Sequence, residues 1–201
     1  MATDIKSKIT GAWMLQKEFQ SPWKTVIAPL FFDFDKKAEN VMIRGYSDKS
    51  VSKYSCHFND VNLKIGNYIN FYIIELSNEK LILKISENEY KYYRLKEKSQ
   101  VLNEKELQKV LVNSKWMMDG NILEFTSEPV SINNSFKMIE YQDSKKFFGS
   151  YSFDMFKNNL FLLLLIDGKP MELVFKIIEE KGSILELQTA EGNILDLTKQ
   201  I

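Results

Sequence analysis

The sequence is poor in the residues that usually carry catalysis, metal binding and disulfide bonds. Its 201 residues include one cysteine and one histidine. A lone cysteine cannot form a disulfide within the chain, and a zinc site needs more nitrogen or sulfur ligands than these two. The chain also has no Gly-rich phosphate loop and no dinucleotide fingerprint. The sequence therefore predicts no catalytic residues, no metal and no cofactor.

An excess of charge of one sign is missing as well. The 27 Lys and Arg residues balance 27 Asp and Glu residues, so the formal net charge is zero. Only Arg44 and Arg94 are arginines, the residue type that reads phosphate and guanine through paired hydrogen bonds. Nucleic-acid-binding domains usually carry a basic excess. We therefore do not expect nucleic acid as a partner.

Long apolar runs are also absent. The longest spans residues 160–166, far short of the roughly 20 residues that a membrane helix needs. The N-terminal residues lack the basic and then apolar order of a signal peptide. The abundance of Lys, Asn and Ile suggests an AT-rich bacterial genome. We expect a soluble, cytoplasmic bacterial protein that does not interact with a membrane.

What the chain does have is material for a core, since 44% of it is hydrophobic and 13% aromatic. Short apolar or alternating segments are separated by turn residues about every ten positions, as at residues 119–121 and 157–159. This pattern predicts an all-β antiparallel meander, barrel or sandwich. One segment differs: residues 103–111 begin with Asn103 as N-cap and place Leu107, Val110 and Leu111 at helical spacing.

The two halves of the chain resemble each other. Residues 9–15 and 112–118 both carry a small residue two positions before a Trp, followed by apolar residues. A repeat of roughly 95 residues suits a duplicated domain. We predict one unit over residues 1–98, a linker with a short helix over 99–111, and a second unit over 112–201. The alternative is one larger barrel or sandwich that both halves form together.

Gly11-x-Trp13 on a first strand, followed by an all-β meander, resembles the calycin superfamily and most closely its lipocalin-like domains from Bacteroidetes. The resemblance implies two tandem small barrels. It also implies that a basic residue of each last strand covers the Trp: Arg94 over Trp13, and Lys199 over Trp116. Asp196 lies nearer the Arg94 position, and Ser114 replaces the Gly in the second copy. We interpret Trp13, Arg94, Trp116 and Lys199 as structural anchors. The resemblance further implies binding of small apolar ligands or proteins.

Two polar pairs are candidates for chemistry. Cys56 and His57 are neighbours on a predicted strand, so their side chains should point to opposite faces. Asp33 and Asp35 should share a face, where paired carboxylates could act in hydrolysis or bind a cation. We favour the simpler interpretation in both cases: one inward and one outward residue for the first pair, and a solvated strand face for the second.

The apolar residues raise two further questions. Aromatic side chains crowd both halves and could either fill a barrel of about eight strands or line a ligand cavity; we favour a filled core. Residues 160–166 are apolar on both faces, although a strand with one wet face should alternate. We therefore predict an interaction face, which could pack on the other copy, on the helix near Leu107 or on a partner chain. Its residues are Leu160, Leu162, Leu164 and Ile166.

These observations predict a non-enzymatic, lipocalin-like binding module for a small apolar ligand or a protein surface. The alternative is a protein–protein interaction component of a larger assembly, such as an immunity protein or a subunit of a secretion or injection machine. Self-association into a homo-oligomer is a further expectation.

Overall fold

The computed structural model describes residues 2–16, 29–44, 51–67, 69–96, 103–130, 135–168, 173–189 and 192–200. The chain divides into two compact units, residues 1–96 and 97–201. Within the described residues, each unit contains one helix and eight antiparallel strands that close into a barrel. The fold is therefore all-β with two tandem meander barrels, as the sequence predicted, and the alternative of one larger barrel is excluded.

In unit 1 each strand pairs with the next along the chain, and the last strand pairs with the first to close the barrel. Its elements are α1 (Ala2–Ile9), β1 (Gly11–Gln16), β2 (Phe31–Phe34), β3 (Asn40–Arg44), β4 (Val51–Asn59), β5 (Asn62–Ile65), β6 (Ile69–Leu76), β7 (Lys80–Ile85) and β8 (Asn88–Arg94). Helix α1 packs against β4 and β6 and buries Ile9. The sequence analysis did not predict this helix.

Unit 2 repeats the same order, with its barrel closed between its first and last strands. Its elements are α2 (Glu104–Leu111), β9 (Ser114–Met118), β10 (Asn121–Val130), β11 (Ser135–Gln142), β12 (Lys145–Phe156), β13 (Asn159–Ile166), β14 (Leu173–Glu180), β15 (Ile184–Gln188) and β16 (Ile194–Lys199). The predicted turns at 119–121 and 157–159 join paired strands. Asp119, Gly120, Lys157 and Asn158 all have positive φ there, as tight hairpins require.

The predicted helix is present, and Asn103 caps it by accepting a hydrogen bond from the Lys105 backbone N–H at 3.0 Å. Its role differs from the prediction, because Leu107 and Leu111 belong to the buried cluster of unit 2. The linker that the sequence predicts covers residues 99–111, of which 99–102 lie outside the described residues. Helix α2 is instead part of the second unit, because its apolar face is buried in that unit's core.

A shared irregularity strengthens the case for duplication. In unit 1 the pairing of β6 with β7 shifts register between Ile73 and Glu75. In unit 2 the pairing of β14 with β15 shifts between Ile177 and Glu179. Both strands therefore carry a β-bulge in the same Ile-Ile-Glu sequence, at residues 73–75 and 177–179.

Candidate binding surfaces

Trp13 is a buried anchor of the unit 1 barrel. Its side chain is fully buried, and its Nε1 donates a hydrogen bond to the Ile9 carbonyl at 2.7 Å. Arg94 lies directly opposite on β8, with its Cζ 4.2 Å from the centroid of the Trp13 ring. This is the stacked arrangement of guanidinium and indole that the resemblance implied.

The Arg94 guanidinium also connects three separate parts of unit 1. It donates hydrogen bonds to the carbonyl oxygens of Lys8, Thr10 and Asn78. Partial burial lowers the pKa of Arg94, and the Glu79 carboxylate acts in the opposite direction. The end of α1, the start of β1 and the turn before β7 are therefore held by one side chain.

Gly11 is suited to its place for two reasons. Its φ is +102°, a backbone conformation that other residues rarely adopt. A Cβ on Gly11 would also lie 3.1 Å from Nη1 of Arg94. The glycine of the Gly-x-Trp pair therefore permits both the turn from α1 into β1 and the close approach of the guanidinium.

Unit 2 builds the same anchor with different residues. Trp116 is fully buried and its Nε1 donates to the Leu111 carbonyl at 3.1 Å. Lys199 lies directly opposite it, with Nζ 6.0 Å from the ring centroid, so the structure places Lys199 rather than Asp196 at the Arg94 position. The positive φ falls on Asn113, one residue earlier than in unit 1. Because of this offset Ser114 can replace the glycine.

Aromatic rings pack closely inside both barrels. In unit 1 the Phe32 ring centroid lies 5.0 Å from that of Tyr92 and 6.1 Å from that of Phe71. In unit 2 Tyr151 meets Phe125 edge to face at 5.0 Å. Burial raises the pKa of Tyr151 to about 12. These contacts favour the filled core over a ligand-sized cavity.

The two polar pairs do not form catalytic arrangements. Cys56 is buried and donates through its Sγ to the Ala38 carbonyl, while His57 on the opposite face is exposed, as predicted. Asp33 is buried within β2, whereas Asp35 lies in the turn after it. The two carboxylates therefore do not share a solvated strand face, and that prediction was wrong.

Asp35 instead organises its turn. It accepts hydrogen bonds from the backbone N–H groups of Lys37 and Glu39 and from the Asn40 side-chain amide at 2.8–3.2 Å. The Asn40 amide, helped by the backbone N–H groups, lowers the pKa of Asp35. This carboxylate thus stabilises the β2–β3 connection.

The predicted interaction face on β13 requires a correction. All four of its residues point into the barrel and belong to the buried cluster of unit 2: Leu160, Leu162, Leu164 and Ile166. The outer face of the strand carries Phe161, Leu163 and Leu165, of which the first two are buried and only Leu165 is exposed, by 47%. The alternation correctly separated the two faces of the strand, but the prediction took the inner face for the interaction face. Leu107 and Leu111 of helix α2 belong to the same buried cluster as these four side chains, so the helix is among the elements that they face.

Leu165 belongs to a small apolar surface that the sequence analysis missed. Phe148 on β12 is 60% exposed. It lies directly opposite Ile139 of β11, and Leu165 of β13 lies opposite Ser150, two residues further along β12. We call Ile139, Phe148 and Leu165 the unit 2 patch. The adjacent Phe147 and Phe148 were a usable signal, because one of two neighbouring strand residues must face outward.

Unit 1 carries a groove of about 550 Å³ on the outer side of β5–β8. Four of its side chains form one row, each opposite the next across the strands: Asn62, Tyr72, Lys84 and Glu89. Asn70 and Ile74 flank Tyr72 along β6. No local pattern in the sequence indicates this groove, because its residues come from four strands.

The chain matches no protein-family model, no curated protein and no solved structure. Among the described residues, His, Cys, Asp and Glu side chains form no group of three that could hold a metal ion. No described helix has the length and apolar character needed to cross a membrane.

Proposed function

We propose that this protein is a non-enzymatic binding module that engages another protein through the unit 2 patch. The observation that carries the proposal is the exposure of Phe148 and Leu165, at 60% and 47%, on neighbouring strands of one barrel. Single exposed apolar side chains are common on protein surfaces, whereas adjoining ones are typical of interaction sites.

The surroundings of the patch support a protein partner. Ile139 is flanked along β11 by Lys137 and Tyr141, and Phe148 is flanked along β12 by Lys146 and Ser150. An apolar centre with a polar rim is the usual composition of a protein–protein interface. Aromatic residues at such a centre often contribute most of the binding free energy.

The other parts of the proposal have their own support. Packed rings inside the barrels favour a protein surface over a small apolar ligand as the partner. The opposite orientation of Cys56 and His57 and the separation of Asp33 from Asp35 support a non-enzymatic role. The stack of Arg94 on Trp13 supports lipocalin-like membership. The alternative role is a cytoplasmic protein–protein interaction component of a larger assembly, such as an immunity protein or a secretion or injection subunit.

The test places a photo-crosslinking amino acid at position 148 in the native host. A matched probe at Ile194, which is 51% exposed on β16 of the same unit, serves as the control. We expect a crosslinked protein partner from position 148 only. The partner should be lost from co-purification with the double variant Phe148→Ser/Leu165→Ser and retained with Ile194→Ser.

Three results would count against the proposal. Equal crosslinking from both positions would indicate non-specific contact, and retention of the partner by the double variant would place the interface elsewhere. A small apolar molecule of a few hundred daltons bound to the purified protein in native mass spectrometry would favour the ligand-binding alternative. A crosslinked product of twice the chain mass would identify the partner as a second copy and support a homo-oligomer.

A further inference from the structure

The groove on unit 1 is independent of the unit 2 patch and has a different chemistry. Its volume of about 550 Å³ falls within the range of roughly 300–1,000 Å³ that is usual for small-molecule sites. The Tyr72 side chain is 49% exposed within it and Ile74 is 43% exposed. The groove therefore offers one flat aromatic surface beside an aliphatic one.

The shape of this surface has a local cause. The register shift between Ile73 and Glu75 makes Ile74 the extra residue of a β-bulge in β6. A bulge bends its strand, increases the local twist and redirects side chains. Alternation along β6 places Ile74 on the outer side with Tyr72, and the bulge that follows leaves Glu75 exposed as well.

The polar side chains around Tyr72 identify the class of ligand. Asn62 lies opposite Tyr72 on β5, and Asn70 lies two residues before it on β6. Each amide offers both donors and an acceptor. Lys84 and Glu89 lie opposite each other on β7 and β8, so the charges lining the groove balance. Such a lining selects neither an anion nor a cation.

We propose that the groove binds a neutral saccharide. A pyranose ring has an apolar C–H face and a rim of hydroxyl groups, each of which is both donor and acceptor. The C–H face stacks on the Tyr72 ring, and the amides of Asn62 and Asn70 exchange hydrogen bonds with the hydroxyls.

The second barrel supplies an internal comparison. Phe161 lies opposite Lys176 in unit 2, in the same ladder position as Asn62 opposite Tyr72 in unit 1, since each pair precedes the shared bulge. The amide and the aromatic ring are replaced there by an aromatic ring and a charged amine. The groove chemistry is thus a property of unit 1 and not a requirement of the barrel.

The test uses the full chain labelled with ¹⁵N and titrated with four trisaccharides: cellotriose, maltotriose, mannotriose and N,N′,N″-triacetylchitotriose. The tripeptide Gly-Ser-Gly is a non-sugar probe of similar size. Each is added to about 10 mM, which detects millimolar dissociation constants. We expect at least one sugar to shift the backbone amide signals of Asn62, Tyr72, Lys84 and Glu89.

Variants establish whether the shifts come from the groove. Tyr72→Ala should weaken binding about tenfold and Tyr72→Phe less than about threefold, because the second keeps the ring. Val51→Ala, an exposed position on β4, should leave the affinity unchanged. Thermal unfolding of each variant checks that the barrel stays folded.

The proposal is wrong if none of the sugars shifts these signals, or if the tripeptide shifts them as strongly. It is also wrong if Tyr72→Ala remains folded and binds as tightly as the wild type. Should Tyr72→Ala fail to fold, Asn62→Leu and Asn70→Leu replace it, and unchanged affinity in both would overturn the proposal.

Discussion

The Arg94 guanidinium stacks on the Trp13 indole at 4.2 Å while it donates hydrogen bonds to the carbonyls of Lys8, Thr10 and Asn78. One side chain thus covers the Trp13 ring and connects α1 to the turn before β7. The Lys199 amine, 6.0 Å from the Trp116 ring, makes a looser version of the same contact. The two anchors therefore differ in strength, and this difference can be measured.

Removal of either buried tryptophan should destabilise its own unit. We expect Trp13→Ala and Trp116→Ala each to lower the free energy of unfolding by about 3–5 kcal/mol, because both side chains are fully buried. Urea unfolding followed by circular dichroism measures the loss. Trp13→Phe is the milder control, and a loss below about 1 kcal/mol in both alanine variants would contradict the burial.

Arg94 and Lys199, the basic residues over the tryptophans, should contribute unequally to the free energy of unfolding. Arg94→Lys keeps the charge but cannot reproduce the fork of hydrogen bonds to three carbonyls, so we expect a loss of about 1–3 kcal/mol. Lys199→Met should change stability by no more than about 0.5 kcal/mol, because the Lys199 side chain is exposed. Equal losses in the two variants, measured by urea unfolding, would show that the two covers contribute alike.

Gly149 should tolerate no side chain. A Cβ there would lie 2.3 Å from the Leu165 carbonyl oxygen and 3.1 Å from the Ile166 Cα. Both neighbours are backbone atoms of the paired strand, so relief requires separation of β12 from β13. We expect Gly149→Ala to cost about 1–3 kcal/mol and Ser150→Ala, the adjacent outward position, less than about 0.5 kcal/mol. Thermal melting points that coincide for the two variants would refute this.

Cys56 should make the stability of unit 1 depend on alkaline pH. Burial, together with the charge of Asp35, raises the pKa of the thiol from its ordinary value of 9.0 to about 11. The folded state therefore favours the protonated thiol. The stability that the protonated thiol gives to the folded state is fully present below pH 9 and is lost as the pH rises through 11.

The measurement is the free energy of unfolding of wild type and Cys56→Ala across this pH range. The difference between the two proteins should stay constant below pH 9 and then shift against the wild type by roughly 1–2 kcal/mol. A difference that does not change with pH would mean that the thiol titrates alike in both states.

Much of the fold follows from local pattern. Alternation and turn residues near every ten positions indicated antiparallel strands, and Asn103 with the spacing of Leu107 and Leu111 indicated α2. Helix α1 escaped notice because only Ile5 and Ile9 mark its apolar face, which is a single helical turn of pattern.

The candidate surfaces were harder to predict. The repeat of small residue and tryptophan indicated Trp13 and Trp116, and the resemblance implied Arg94 and Lys199 as their basic covers. The structure pairs them as expected. The face predicted for interaction on β13 was the inner one. The pair Asp33 and Asp35 separated because β2 ends at Phe34, and a strand's end depends on its partners.

The sequence by itself indicated the antiparallel strands, the repeat of its two halves and the alternation of side chains along each strand. Those properties are local, since side chains alternate along any strand. Only the tertiary structure decided which face of β13 is inside, that Phe148 and Leu165 are exposed on neighbouring strands, and which four strands bring Asn62, Tyr72, Lys84 and Glu89 into one row. Those relationships depend on the curvature of the closed sheet and on the register between strands, which residues far apart in the chain set together.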